Sequence, residues 1–428
     1  MKRAWVCSGL ILLMAPFAVL AQTSGSDAET IRELLARVQQ LEKRVAELES
    51  QRGAPAGPAA AAPQAAPAAP AQAAAPLTPE QMVHQEHLRA EAGSQILPQS
   101  PLLHMQGFSD FNFSATSQHG TTSGFNEGQF VLHVSSALSS RVNVFSEISL
   151  TARRDAGVGS PPAPGFNPEV ERLLIRFDQS DYFKVSFGRY HTPINYWNTA
   201  FHHGQWLQTS ISRPEMTQFG GNFIPVHFVG GLVEGEIPAS GLHLNYNAGL
   251  GNGRGSVISR GGDFGDINNN RAWLVNLFVK PDRLYGLQTG GSVYRDKISI
   301  LGRNFDEWIT SGNIVWLKEK PEFIAEIANV KHAEIGRPGG SNSLAYYVQV
   351  GYRLPWFEQL WKPYYRWEYI HVPRADTVFS AVPSLAGSVV GVRYDITTFA
   401  AIKAEWRNQR RPGLERINGA FVQTSFTF

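Results

Sequence analysis

The stretch LAYYVQVGYRL at residues 344–354 sets Leu344, Tyr346, Val348, Val350, Tyr352 and Leu354 on one face of an extended chain. Tyr347, Gln349, Gly351 and Arg353 fall on the other face. A second stretch, VNVFSEISLTAR at 142–153, repeats the pattern, with Val142, Val144, Ile148 and Leu150 opposite Asn143, Glu147, Ser149, Thr151 and Arg153. Strands this long and this one-sided require apolar surroundings on one face and tolerate charge on the other.

Outward from these two segments, period-two alternation broken by Gly, Pro, Asn and Asp runs from about Leu102 to Phe428. It predicts about sixteen strands, starting near 103, 128, 142, 169, 182, 223, 241, 271, 283, 307, 321, 343, 362, 387, 398 and 417. An even number suits a closed barrel of antiparallel strands that spans a membrane. Short connections near Ser139, Gln179, Pro281, Lys318 and Thr397 fall on one side, and long ones near 116–126, 154–168, 191–222, 251–270, 332–342 and 373–386 on the other. Outer-membrane barrels have this asymmetry, with short periplasmic turns and long outer loops. A soluble sandwich, barrel or propeller also alternates. Against these stand aromatics placed for interfacial girdles (Tyr365, Trp367, Tyr369 and Trp406), the lack of a blade-length repeat and a secretory start. The segment FVQTSFTF at 421–428, ending in Phe428, also resembles the C-terminal signal read by the barrel assembly machinery.

Residues 1–21 read as a cleaved signal peptide: Lys2 and Arg3, an apolar run from Ala4 to Leu20, then small Ala21 before polar Gln22. The one cysteine, Cys7, lies within that run, so the mature chain carries no thiol, disulfide or cysteine metal site. Cleavage takes the basic count from 38 to 36 against 36 acidic residues, and a neutral chain gives nucleic acid no purchase. Residues 27–51 have heptad spacing, with Ile31, Val38 and Val45 at a and Leu34, Leu41 and Leu48 at d. Arg37 can meet Glu42, and Arg44 can meet Glu49, of a parallel neighbour. β-branched a with Leu d is the pattern of dimers, while the twice-repeated Arg-apolar-x-x-apolar-Glu resembles a trimerisation motif; the expectation is a homotrimer. Residues 52–76 form an Ala/Pro-rich spacer, and 77–101 a short helix and lead-in opened by Thr78, Pro79 and Gln81. Residues 102–428 are the barrel.

On the strand count, the segment 191–222 is the third outer loop. The pieces FGRYHTPINYW at 187–197 and LQTSISRPEM at 207–216 resemble the matching region of the phosphate-selective porin O and P superfamily, and LNYNAGLGNGRG at 244–255 resembles that family's strand end. With the coiled coil, the layout is most similar to the DcaP-like trimeric porins. The resemblance implies a third loop folded into the barrel, with Arg213 at the pore. Alternation independently places Arg153, Arg172, Arg176, Lys184, Arg353, Arg366, Arg393, Lys403 and Arg407 on the lumen side. Asp110, Glu147, Glu326, Glu368, Asp395 and Glu405 are the counter-charges. A lumen tilted to the basic side favours small anions, because a solute that sheds hydration needs compensating charge; equally, the charges can pair and hold a generic wall.

These features lead to an outer-membrane porin for small polar or anionic solutes, with the coiled coil in the periplasm, outer-membrane lipid around the barrel and no cofactor. The alternative is a structural tether, in which the coiled coil and spacer reach toward the cell wall. His202 and His203, or Asp263, Asp266, Asn268 and Asn270, could contact a metal, but adjacent histidines without convergent carboxylates and a sequence unlike an EF-hand favour loop hydrogen bonding. Nucleophile elbows and phosphate loops are missing from the sequence, and His104, His119 and His133 have no evident catalytic partner, so an enzyme is not expected.

Overall fold

The computed structural model describes residues 101–428 other than 154–163, 202, 219–222, 238–240, 256, 259–261, 264 and 414. The signal, coiled-coil and spacer readings lie outside the described residues. Strands Leu103–Thr116 (β1), Gly124–Ala137 (β2), Val142–Arg153 (β3), Gly165–Ser180 (β4), Phe183–His191 (β5) and His227–Ile237 (β6) form the first part of the sheet. Leu244–Asn252 (β7), Ala272–Val279 (β8), Leu287–Ile300 (β9), Arg303–Trp316 (β10) and Glu322–Glu334 (β11) continue it. Ser341–Gly351 (β12), Trp361–His371 (β13), Leu385–Thr397 (β14), Ala400–Arg410 (β15) and Ile417–Thr427 (β16) complete it.

Each strand pairs antiparallel with its sequence neighbours, and β1 closes on β16, in register from Phe108 opposite Thr427 to Thr116 opposite Gly419. Phe428 adds a last rung beyond the strand, its N–H donating to the Gly107 carbonyl (3.0 Å) and its carbonyl accepting from the Gly107 N–H (2.8 Å). All sixteen strands begin within four residues of the starts read from alternation. The connections also follow expectation except in two places. Leu301–Gly302 is a two-residue turn among the long loops, and the connection 352–360 is long for the other end. Leu301 (φ 51) and Gly302 (φ 74) are both left-handed, the backbone that lets two residues join twisted antiparallel strands.

Burial is inverted relative to a water-soluble protein. Phe187, Leu250, Ile314, Val390, Trp406 and Val422 are exposed on the outer face, whereas Arg366, Lys362, Lys403, Glu147 and Glu307 are buried within. Tyr365 and Trp367 face outward with the aromatics expected to form a girdle. An apolar belt outside and charge inside is the partition that a hydrocarbon surround selects.

Candidate functional site: the third loop and the charged lumen wall

The connection between β5 and β6, residues 192–226, folds into the barrel. Its two feet are tied together by Asn198, whose Nδ2 donates to the carbonyls of Thr192 (2.7 Å), Pro225 (3.4 Å) and Val226 (3.3 Å). A left-handed Asn195 (φ 62) turns the chain inward. The short helix Trp197–Ala200 (α1) follows, with the fully buried Trp197 ring edge-on to Tyr347 and Phe201. Trp206 packs on Phe108, Val131 and Ala401, on β1, β2 and β15.

The remaining path is held by wall charges that meet backbone. Glu326 Oε1 accepts the N–H groups of Tyr196 and Trp197 (both 2.7 Å). Glu405 Oε2 accepts those of Ile211 (2.9 Å) and Ser212 (3.2 Å), and Glu368 Oε2 that of Glu215 (2.7 Å). The cations take the carbonyls: Arg366 donates to Ser212 O (2.9 Å), Arg393 to Trp206 O (2.7 Å) and Gln208 O (3.1 Å), and Lys403 to Gln205 O and Ser210 O. A loop inside a barrel has no ladder partner, so its buried N–H and C=O groups need such contacts. Ionised partners give the stronger bonds.

The residues read from sequence therefore fall into three groups. Arg366, Arg393 and Lys403 are buried and converge on the third loop, and Arg213 is buried within the loop, donating to Thr217 O (2.9 Å) and Phe201 O (3.2 Å). Arg407 pairs with Glu405 (2.6 Å), and Arg353 with Glu319 (2.7 Å) and Asp395 (2.6 Å). Arg172 pairs with Glu147 (2.5 Å), Arg176 with Asp178 (2.7 Å) and Lys184 with Asp181 (3.9 Å), all on the β3–β5 side, while Arg153 is exposed at the rim. Arg172, Arg176, Lys184, Arg353 and Arg407 keep between 13% and 23% of their side-chain surface open, unlike the loop-holding set.

Alternation misses Glu171. A bulge in the pairing of β3 with β4 puts both Glu171 and Arg172 on the lumen side. Glu171 there accepts from Ser149 Oγ (2.7 Å) and lies beside His203 (3.2 Å) and His227 (2.9 Å). Lys362, bound to Glu319 (2.8 Å) and Glu322 (2.6 Å), shares the face of Arg366 and was legible by parity. Arg254 of the fourth outer loop, 253–271, pairs with Glu307 (3.0 Å) and donates to Phe223 O (2.7 Å). The seventh outer loop, 372–384, also turns inward: Asp376 meets His332 (2.9 Å) and Ser343 Oγ (2.9 Å), and Phe379 packs on Phe223. Burial would raise the Asp376 carboxyl, but the His332 contact holds it below its ordinary value.

The oxygen-rich fourth loop is tied by ion pairs. Asp263 faces Arg189 (3.4 Å) and Asp266 faces Arg271 (3.0 Å). Among the described residues no group of His, Cys, Asp and Glu is arranged to hold a metal ion.

Fold and site together define a porin-type barrel, a closed sheet narrowed from within by its third loop. No protein-family model and no curated protein sequence matches the chain. Solved structures do. An anion-selective porin from Comamonas acidovorans superposes with a TM-score of 0.56 at 12% identity, over 77% of this chain and 100% of that one. The outer-membrane channel DcaP of Acinetobacter baumannii gives 0.52 at 10% identity, over 78% and 100%. Salmonella typhi OmpF, in a complex with daunomycin, gives 0.51 at 10% identity, over 78% and 99%. At these identities the likeness is one of fold.

Proposed function

We propose that this chain is an outer-membrane porin that passes small hydrophilic solutes and favours small anions such as carboxylates or phosphate. The observation that carries this reading is the third loop bound across the lumen by charged wall residues, which leaves a narrowed interior lined by ionisable groups. Arg172, Arg176, Lys184, Arg353 and Arg407 are the cations that a passing anion meets. Arg213, Arg366, Arg393 and Lys403 are buried and fix the loop. The fold shared with a porin described as anion-selective supports the same direction. The shared fold with DcaP and the heptads of Ile31, Leu34, Val38, Leu41, Val45 and Leu48 support a DcaP-like homotrimer in the phosphate-selective porin O and P group. Phe428, at the barrel seam, is the residue offered to the assembly machinery.

Bilayer currents in asymmetric salt test the proposal. The expected reversal potential has the sign of anion preference, and Arg172→Gln with Arg407→Gln moves it toward zero; cation preference in the unaltered protein overturns the anion reading. A folded barrel that carries no current overturns the channel reading.

A further inference from the structure

Cations on the strands mostly face the lumen, but β9 to β11 depart from this. Buried Tyr294, Asp296 and Ile298 point inward, so their neighbours Arg295 and Lys297 point out. Buried Val330 and His332 likewise turn exposed Lys331 outward. Cross-strand pairing aligns them: Trp273 stands opposite Arg295, Arg295 opposite Trp308, and Trp308 opposite Lys331, with Lys297 opposite Asp306 one level above. Trp273 and Trp308 meet edge to face (5.6 Å), and the Arg295 guanidinium lies over Trp308 (5.8 Å).

The depth of this row follows from β10. Trp316 at the periplasmic end and Trp308 are eight residues apart on the outer face. At about 3.3 Å per residue and a tilt of about 40°, they are separated by about 20 Å along the membrane normal, nearly the height of the apolar band. Trp308 therefore lies at the outer edge of the hydrocarbon; because the rungs share the strand tilt, Arg295 and Lys331 on the two flanking strands lie about 3 Å to either side of that depth, and Lys297 about 5 Å above Arg295, toward the headgroups. Among the described residues the acid that forms an ion pair with these three cations is Asp306, through Arg295 (2.7 Å). None of the three cations lines the lumen, so solute passage does not account for them.

We propose that Arg295, Lys297 and Lys331 form a site on the outer wall for a phosphorylated lipid headgroup of the outer leaflet. The tryptophans seat the lipid at the interface, the two lysines supply point charges, and the Arg295 fork adds planar hydrogen bonding to phosphate oxygens. The site rests on the outer-membrane reading above.

The test uses the full chain, purified in detergent, with diphosphorylated lipid A and its dephosphorylated form as probes and intact-complex mass spectrometry as the readout. The unaltered protein should retain the phosphorylated probe, and the triple variant Arg295→Gln, Lys297→Gln, Lys331→Gln should lose about ten-fold in retention, the scale of a phosphate-contact loss. Arg337→Gln, at an exposed loop position, should change nothing. Equal retention by the triple variant, or of the dephosphorylated lipid by the unaltered protein, overturns the site. Heat-modifiable migration and membrane fractionation run alongside: an outer-membrane barrel without the retention difference sinks this site alone, and absence from that membrane sinks the parent reading. Lys331→Cys in the otherwise thiol-free mature chain reports a second copy as occupant. Cross-links between copies at that position would make the face a subunit interface and overturn the lipid assignment.

Discussion

Glu405 shows how one residue fixes the lumen. Its Oε2 accepts two third-loop N–H groups and the Tyr364 hydroxyl (2.7 Å), and its Oε1 holds Arg407. Glu405→Ala leaves buried donors without an acceptor, a cost of about 1–3 kcal/mol. The expected outcome is a lower temperature for the heat-modifiable band shift together with noisier, larger single-channel currents; an unchanged trace would mean that the loop stays in place without this carboxylate. Glu319, half-exposed in the connection 317–321, is a second case. Partial burial alone would raise its carboxyl, but Lys362 and then Arg353 outweigh it and hold it down to about 2. A depressed carboxylate contributes stability above its unfolded value, and the contribution disappears as pH falls through the folded value. Glu319→Gln should therefore lower the unfolding temperature at neutral pH, and the gap to the unaltered protein should close between about pH 4.5 and pH 2. A gap that stays constant over that window would rule out the linkage. At this scale the sequence was only partly legible. Parity finds Arg366, Arg393 and Lys403 on the inner face, but whether a cation meets solute or a loop carbonyl depends on where residues 205–213 lie.

The elements were the most legible level, because the lipid imposes alternation along every strand while the lumen places few demands on the other face. What alternation cannot register is a change of phase. The bulge at Glu171 turns two successive side chains inward, and the stretch GFNPEVERLLIRF gives no local sign of it beyond two charged residues side by side. The turn at Leu301–Gly302 was equally hidden, since leucine is a poor residue for a left-handed position. Leu301 is 95% exposed, so its side chain contributes little packing. Leu301→Asn, a residue that takes this backbone readily, should stabilise the β9–β10 hairpin by about 0.5–1 kcal/mol, seen as a small rise in unfolding temperature. A fall would show that the turn is held by something other than its own backbone.

At the level of the whole molecule, narrowing and selectivity have separate physical origins. The backbone of the third loop is held by three wall carboxylates, Glu326, Glu368 and Glu405, and three wall cations, Arg366, Arg393 and Lys403, while its side chains add Thr209 on Glu322 and His203 on Glu171. Removing segment 203–216 uncovers Glu322, Glu368 and Glu405 together with Arg366, Arg393 and Lys403, whose charges cancel, while Glu326 keeps Tyr196 and Trp197 and Glu171 keeps His227. The loop segment 203–216 itself carries Arg213 and Glu215, again one of each sign. Replacing residues 203–216 by a short Gly/Ser bridge should then raise single-channel conductance on the order of two-fold or more through the wider opening. The reversal potential should move little, because the partly open cations of β4, β5 and β15 remain. The barrel is expected to assemble, since strand pairing and the Phe428 rung do not depend on the loop, although loss of the Trp206 contacts with Phe108 and Val131 should lower its unfolding temperature. A reversal potential that collapses with the loop gone would transfer selectivity from the wall to the constriction, and Arg213 would become the residue to test next.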